Sequence, residues 1–198
     1  GFDTIFWLSP TRPWFLVIPA KGAPIAVIPE IGGPSMSQTW LSDVRTWLAP
    51  QPEDDGISLL ADTLHEVLPD GGVLGIPMGH ETHIRMPAAD FAALRARLEN
   101  VQIADGTEVI RSLRMVKSEA EIAKIARICS IASSAFENLP NHIRAGDTER
   151  QAFAKFKIDL LQQGADDVPY LVGSSGPNGF ADVINRPSDR VIENGDLL

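Results

Sequence analysis

The sequence predicts an α/β fold in two domains, residues 1–112 and residues 113–198. In the first part, short apolar runs alternate with amphipathic segments in a β-α-β-α-β order, which is typical of an α/β layer domain. In the second part, long amphipathic segments begin with helix-capping signals. The composition, 44% hydrophobic and 22% charged over 198 residues, is that of an ordinary globular protein.

Four short apolar runs predict the strands of the first domain. "WFLVIP" (14–19) and "IAVIP" (25–29) are separated by "AKGAP", so they read as two strands joined by a tight turn. Pro19 and Pro29 close these runs, because proline cannot donate to a strand ladder. "VLGIP" (73–77) and "VQIA" (101–104) predict two further strands.

Two amphipathic helices are predicted between these strands. Residues 56–68 place Leu60, Leu64 and Val67 on one helical face, and "PDGG" ends the segment. Residues 87–100 begin with proline and carry a second apolar face. That face is formed by Phe91, Leu94 and Leu98.

Two capping boxes predict the helices of the second domain. Ser118 with Glu121 marks the first helix start, and Thr148 with Gln151 marks the second. Gly164 is the expected C-terminal cap of the second helix. An apolar stripe is predicted along the first helix, with Cys129 as a packed structural thiol. The stripe consists of Ile122, Ile125, Cys129, Ala132 and Phe136.

Charge and hydropathy exclude several classes of partner. Seventeen basic residues against 26 acidic ones give a net charge of −9, so nucleic acid is not expected as a partner. No apolar run approaches the length of about 20 residues that a membrane span needs, so no membrane partner is expected. The single cysteine suits a reducing compartment, and a cytoplasmic location is expected.

Three polar motifs could carry chemistry. "HETH" (80–83) spaces its histidines by three residues instead of the four a zinc-binding helix needs, so a solvated loop is favoured. His65 and His142 are interpreted as surface residues, with His142 in a loop. "GSSGPNG" (173–179) lacks the lysine of a phosphate loop. It is equally well a ligand-contacting loop or an ordinary connection.

Three segments resemble the creatinase and Xaa-Pro peptidase family of pita-bread metallopeptidases. "LRMVKSEAEI" (113–122) is similar to the opening helix of the family's catalytic domain. "GDTE" (146–149) matches the turn before its second helix, and "PSDRVIENGDLL" (187–198) matches the lead-in to its first metal-bearing strand. The resemblance implies a creatinase-like N-terminal α/β domain followed by the first part of an α+β pita-bread domain.

This resemblance implies a metal-dependent hydrolase whose metal ligands lie beyond the end of this sequence. In relatives, two Asp, one His and two Glu hold two divalent ions (Mn, Co, Zn or Fe), all downstream of the counterpart of Asp196. The chain is therefore expected to be a fragment that binds no catalytic metal and is inactive alone, with its catalytic residues unknown. The parent would be a homodimer that cleaves peptide-type C–N bonds in small substrates.

One departure from the family leaves the substrate open. Relatives carry a substrate-contacting histidine after the "GPN" loop, where this sequence has Val183 or Ile184. The alternatives are a lyase or hydrolase of a non-peptide molecule, similar to dimethylsulfoniopropionate lyase or ectoine hydrolase, or a non-catalytic binding protein. The residues expected to contact a small peptide or small-molecule substrate are Ser175, Asn178, Phe180 and Asp182.

Overall fold

The computed structural model describes residues 12–179 and 184–198, and the chain forms two compact units, Gly1–Met115 and Val116–Leu198. Helices and strands are both present, as the sequence predicts. Among the described residues, no helix is both long and apolar enough to cross a membrane.

A three-stranded sheet begins the first unit, with β2 between β1 and β3. β1 (Phe15–Val17) runs antiparallel to β2 (Ile25–Pro29), which confirms the two strands predicted around the "AKGAP" turn. β3 (Asp43–Trp47) runs parallel to β2. The sequence did not predict β3, because Asp43 and Arg45 interrupt the apolar pattern of this strand. Arg45 on this strand is paired with Asp43 and Glu66.

A second, two-stranded parallel sheet contains β4 (Gly72–Ile76) and β5 (Val101–Asp105). Both strands were predicted. Within residues 12–115, the helices are one 3-10 turn, Glu30–Gly32, and four α-helices. These are α1 (Gly33–Met36), α2 (Ile57–Val67), α3 (Ala88–Arg97) and α4 (Thr107–Met115).

The core of the first unit lies on both faces of β2, because successive side chains of a strand point to opposite sides. Ile25 and Val27 belong to a cluster with residues of α2 and α3. Ala26 and Ile28 belong to a second cluster with Met36 and Leu41. The predicted face of α2 is confirmed, since Leu60, Leu64 and Val67 all pack in the first cluster. The predicted face of α3 is confirmed in part, since Leu94 and Leu98 join this cluster and half-buried Phe91 does not.

The second unit is built on α5 (Glu119–His142) and α6 (Glu149–Gln162). Both predicted capping boxes are formed. Gly164, with a φ of +104°, follows α6 as the expected cap. A buried apolar cluster in this unit consists of Ile131, Ala135, Phe156, Leu160 and Ala165.

The predicted buried face of α5 is wrong. Ile122 is 55% exposed and Phe136 is 61% exposed, while Cys129 is also exposed and is not a packed thiol. The helix instead turns Ile131 and Ala135 toward α6. The apolar periodicity predicted the helix correctly. Apolar residues cover more than one face of α5, however, and the face that is buried is the one that packs against α6.

The loop predicted around His142 is also wrong, because α5 continues through Pro140 and ends at His142. His142 is half-buried and lies near Asp159, with 3.8 Å between Nε2 and Oδ1. His80 and His83 are exposed in a turn outside any helix, as expected. Exposed His65 lies in α2.

Candidate functional site

The loop of residues 173–179 is the candidate substrate-contacting segment. Ser175 is buried within it, and Asn178 is exposed. Phe180 and Asp182, the other two predicted contact residues, lie outside the described residues. Contact between any of these residues and a substrate stays a prediction.

The carboxylate of Glu149 lies behind this loop. Glu149 is the first residue of α6 and is only 2% exposed. Its Oε1 accepts hydrogen bonds from the amide and hydroxyl of Ser175, at 2.6 and 2.8 Å. Its Oε2 accepts from the amide and hydroxyl of Ser188, at 2.9 and 2.7 Å. One buried carboxylate therefore holds two segments of the chain.

Arg190 extends this arrangement toward the turn of residues 193–196, called the C-terminal turn below. Its Nη1 donates to the Ser175 hydroxyl at 2.6 Å and to Oδ2 of Asp196 at 2.6 Å, and its Nη2 donates to Oδ1 of Asp196 at 3.0 Å. Such a two-point guanidinium–carboxylate contact fixes both side chains in one orientation. Glu149, Ser175, Ser188, Arg190 and Asp196 are called the Glu149 network below.

Backbone hydrogen bonds join the same three segments. Gly176 and Leu197 exchange two bonds, of 3.0 and 2.8 Å between N and O. The amide of Glu149 donates to the carbonyl of Arg190 at 3.0 Å. The loop has no room for side chains at two glycines. A Cβ at Gly173 would lie 2.5 Å from Cζ of Phe153, and one at Gly176 would lie 2.7 Å from a backbone oxygen.

The network keeps its acids ionised. Burial by itself would raise the pKa of Glu149, but the hydrogen bonds from Ser188 and Ser175 outweigh it and lower that pKa to about 2. The hydrogen bond from Arg190 lowers the pKa of Asp196, and the same contact raises the pKa of Arg190. Both acids of the network, Glu149 and Asp196, are thus charged at neutral pH.

Two further features lie close to the loop. A cavity of about 300 Å³ is lined by apolar residues, including Phe136, Phe153, Leu171 and Leu198. The hydroxyl oxygen of Ser174 is buried and has no hydrogen-bond partner among the described residues.

The described residues do not provide a metal centre. They contain no group of three or more His, Cys, Asp or Glu side chains placed to hold an ion. The acids of the Glu149 network are already occupied by serine and arginine donors.

The motifs of this site are visible in the sequence, but the network is not. Glu149 belongs to the "GDTE" motif, and Ser188, Arg190 and Asp196 belong to "PSDRVIENGDLL". Both motifs are points of the family resemblance. The sequence signal for the network was a glutamate directly after a capping residue. This signal does not predict burial, because a glutamate at a helix start can equally be exposed, as Glu119 is.

Comparison with known proteins gives the family. Residues 1–116 match the Creatinase/Prolidase N-terminal domain. The chain belongs to the creatinase/prolidase family. The mixed α/β architecture of the first unit agrees with this membership, and the resemblance seen in the sequence is confirmed.

Relatives of this creatinase/prolidase family chain are peptidases. A probable dipeptidase, PepE of Mycobacterium bovis, is 27% identical over 204 residues, which cover 100% of this chain and 52% of the relative. The Xaa-Pro dipeptidase of Pyrococcus horikoshii is 35% identical over 97 residues, covering 46% of this chain and 26% of the relative. The structure of a prolidase from Thermococcus sibiricus matches with a TM-score of 0.76 and 25% identity, covering 93% of this chain and 48% of that one. The chain thus spans about half the length of the M. bovis dipeptidase and of the T. sibiricus prolidase.

Proposed function

We propose that this chain is the N-terminal half of a dinuclear metal-dependent peptidase that cleaves Xaa-Pro dipeptides or removes the N-terminal residue from peptides whose second residue is proline. The observation that carries the proposal is the extent of the similarity. A probable dipeptidase aligns with the whole chain, and a prolidase structure superposes on 93% of it. Residues 1–112 would form the N-terminal domain and residues 113–198 the start of the catalytic domain.

The metal pair would be held by residues that follow Asp196 in the whole protein. Carboxylates and imidazole suit Mn, Co, Zn or Fe, and two such ions supply an activated water at neutral pH. The contribution of the described residues is to hold the loop of residues 173–179. Ser175 is fixed by Glu149 and Arg190, which leaves exposed Asn178 to meet the substrate.

An assay of the whole protein tests this proposal. The protein is loaded separately with Mn²⁺, Co²⁺, Zn²⁺ and Fe²⁺ and given Ala-Pro and Ala-Ala as matched substrates. We expect hydrolysis of Ala-Pro with at least one metal, and slower or no hydrolysis of Ala-Ala. Failure to cleave Ala-Pro with all four metals would contradict the proposal. The 198-residue chain is the control and should be inactive under each condition.

A second candidate keeps the scaffold and changes the substrate to a non-peptide small molecule. It is favoured by one observation, the absence of any histidine after His142 in this sequence. A lyase of dimethylsulfoniopropionate type or a hydrolase of ectoine type would fit such a change. Turnover of dimethylsulfoniopropionate or ectoine without dipeptide cleavage would support this candidate, and robust Ala-Pro turnover would exclude it. A whole protein that retains no metal and turns over none of these substrates would indicate a non-catalytic binding role.

The proposed enzyme is a cytoplasmic homodimer that acts on small peptides. The single cysteine supports a reducing compartment. Light scattering of the whole protein tests the oligomeric state. A mass of two chains is expected, and a mass of one chain would exclude the dimer.

A further inference from the structure

Glu149 is a buried acid for which the proposed reaction has no proton-transfer role. A carboxylate at a helix N-terminus is stabilised by the helix dipole even when it faces water. The same chain supplies the comparison, because Glu119 occupies the first position of α5 after a capping box and is exposed. Burial of Glu149 is therefore not needed to start a helix.

Burying a carboxylate is costly unless hydrogen bonds compensate for lost water. Glu149 receives four donors, two from Ser175 and two from Ser188. Bonds to an ionised acceptor are about twice as strong as bonds between neutral groups. The burial of Glu149 is thus coupled to the positions of two loops that lie 26 and 39 residues away along the chain.

We infer that Glu149 is a positioning residue, which fixes the loop of residues 173–179 against the segment of residues 188–196. The inference rests on the proposed function in one respect, that this loop meets the substrate. Ser175 shows how the effect is transmitted. Its hydroxyl donates to Glu149 and accepts from Arg190, so its side chain is fully engaged within the protein.

Displacement of Ser175 would also move the C-terminal turn. Arg190 bonds both Ser175 and Asp196, and the neighbouring Gly176 pairs with Leu197 through two backbone bonds. Loss of the Glu149 carboxylate should therefore loosen the loop and the turn together. Substrate affinity should suffer more than the reactivity of bound substrate.

The test compares Glu149→Gln with Glu119→Gln in the whole protein. Both changes remove one negative charge from the first position of a capped helix, but only Glu149 contacts the two loops. The first readout is amide hydrogen exchange at Ser175 and Ser188. We expect exchange at least about tenfold faster in Glu149→Gln, because strong acceptors are lost, and no change in Glu119→Gln. Equal protection of both amides in Glu149→Gln and the wild type would overturn the inference.

The second readout is the separation of KM from kcat for Ala-Pro. For Glu149→Gln we expect KM to rise about tenfold with kcat changed less than threefold. A lower kcat at unchanged KM would mean only that fewer molecules are folded, and it would overturn the positioning role. If the wild type does not cleave Ala-Pro, the proposed function fails, while hydrogen exchange still decides whether Glu149 holds the two segments.

A milder variant keeps the test decisive if Glu149→Gln does not fold. Ser188→Ala removes one hydroxyl donor and retains the amide donor to Oε2. It should produce smaller changes in the same direction, both in the exchange of Ser175 and in KM. Unchanged exchange and unchanged KM in this variant would contradict the inference.

Discussion

At the scale of single residues, the Glu149 carboxylate joins segments that are far apart in sequence. Ser175 and Ser188 reach it from two loops, and Arg190 connects them to Asp196. Sequence reasoning could identify the capping box beside Glu149, because capping depends on residues three positions apart. It could not predict the burial of Glu149, because that depends on where two distant loops return.

The pH dependence of stability provides a first prediction. The folded state lowers the pKa of Glu149 from 4.5 to about 2, so its ionised form stabilises the fold above pH 4.5 and this stabilisation is lost as the pH falls toward 2. Glu149→Gln should lower the free energy of unfolding by about 2 kcal/mol at neutral pH. Urea titrations should show this difference between wild type and variant shrinking below pH 4.5.

The comparison isolates Glu149 from its acidic neighbours. Asp147, Asp189 and Asp196 also have lowered pKa values, but they are present in both proteins and their contributions largely cancel. A difference between wild type and variant that stays constant from neutral pH to about pH 3 would contradict the assigned pKa.

At the scale of elements, local signals located the helices and strands better than they oriented them. Strands β1, β2, β4 and β5 and helices α2, α3, α5 and α6 all follow from apolar patterns and caps. The sequence did not predict α4. Its first residue, Thr107, is buried, and the Thr107 hydroxyl accepts hydrogen bonds from the amides of Met78 and Gly79 at 3.0 and 2.8 Å. These bonds span nearly 30 residues, and no local pattern reveals them.

The cap of α5 provides a second prediction. The Ser118 hydroxyl accepts from the amide of Glu121 at 3.3 Å, and Glu121 accepts from the amide of Ser118 at 2.7 Å. Ser118→Ala should destabilise the second unit by about 1 kcal/mol. Ser133→Ala, an exposed change within the same helix, is the control and should stay within about 0.5 kcal/mol of wild type. Equal unfolding free energies for the two variants would show that the cap contributes nothing.

The corrected face of α5 provides a third prediction. Cys129 is exposed on that helix, so its thiol should react with a thiol reagent in the native 198-residue chain, without denaturant. The expected result is labelling of about one thiol per chain, at a rate close to that of the urea-unfolded chain. Labelling that requires unfolding would restore the interpretation as a packed thiol.

At the scale of the whole molecule, the comparison with known proteins confirms the family that the sequence motifs predicted. The motifs predicted that family because each one combines turn, cap and charged residues in a fixed order. The substrate could not be predicted, because the chain spans about half the length of its relatives and the proposed ligands lie in the other half. Phe180 and Asp182, two of the predicted substrate contacts, lie outside the described residues.

We propose that the whole protein carries a metal pair whose ligands lie outside this chain. The most direct test is the metal content of the whole protein and of the 198-residue chain, measured by mass spectrometry after loading with Mn²⁺ or Co²⁺ and removal of excess ion. The account predicts about two ions per whole chain and none retained by the 198-residue chain. A whole protein that retains no metal, or a 198-residue chain that retains as much, would contradict it.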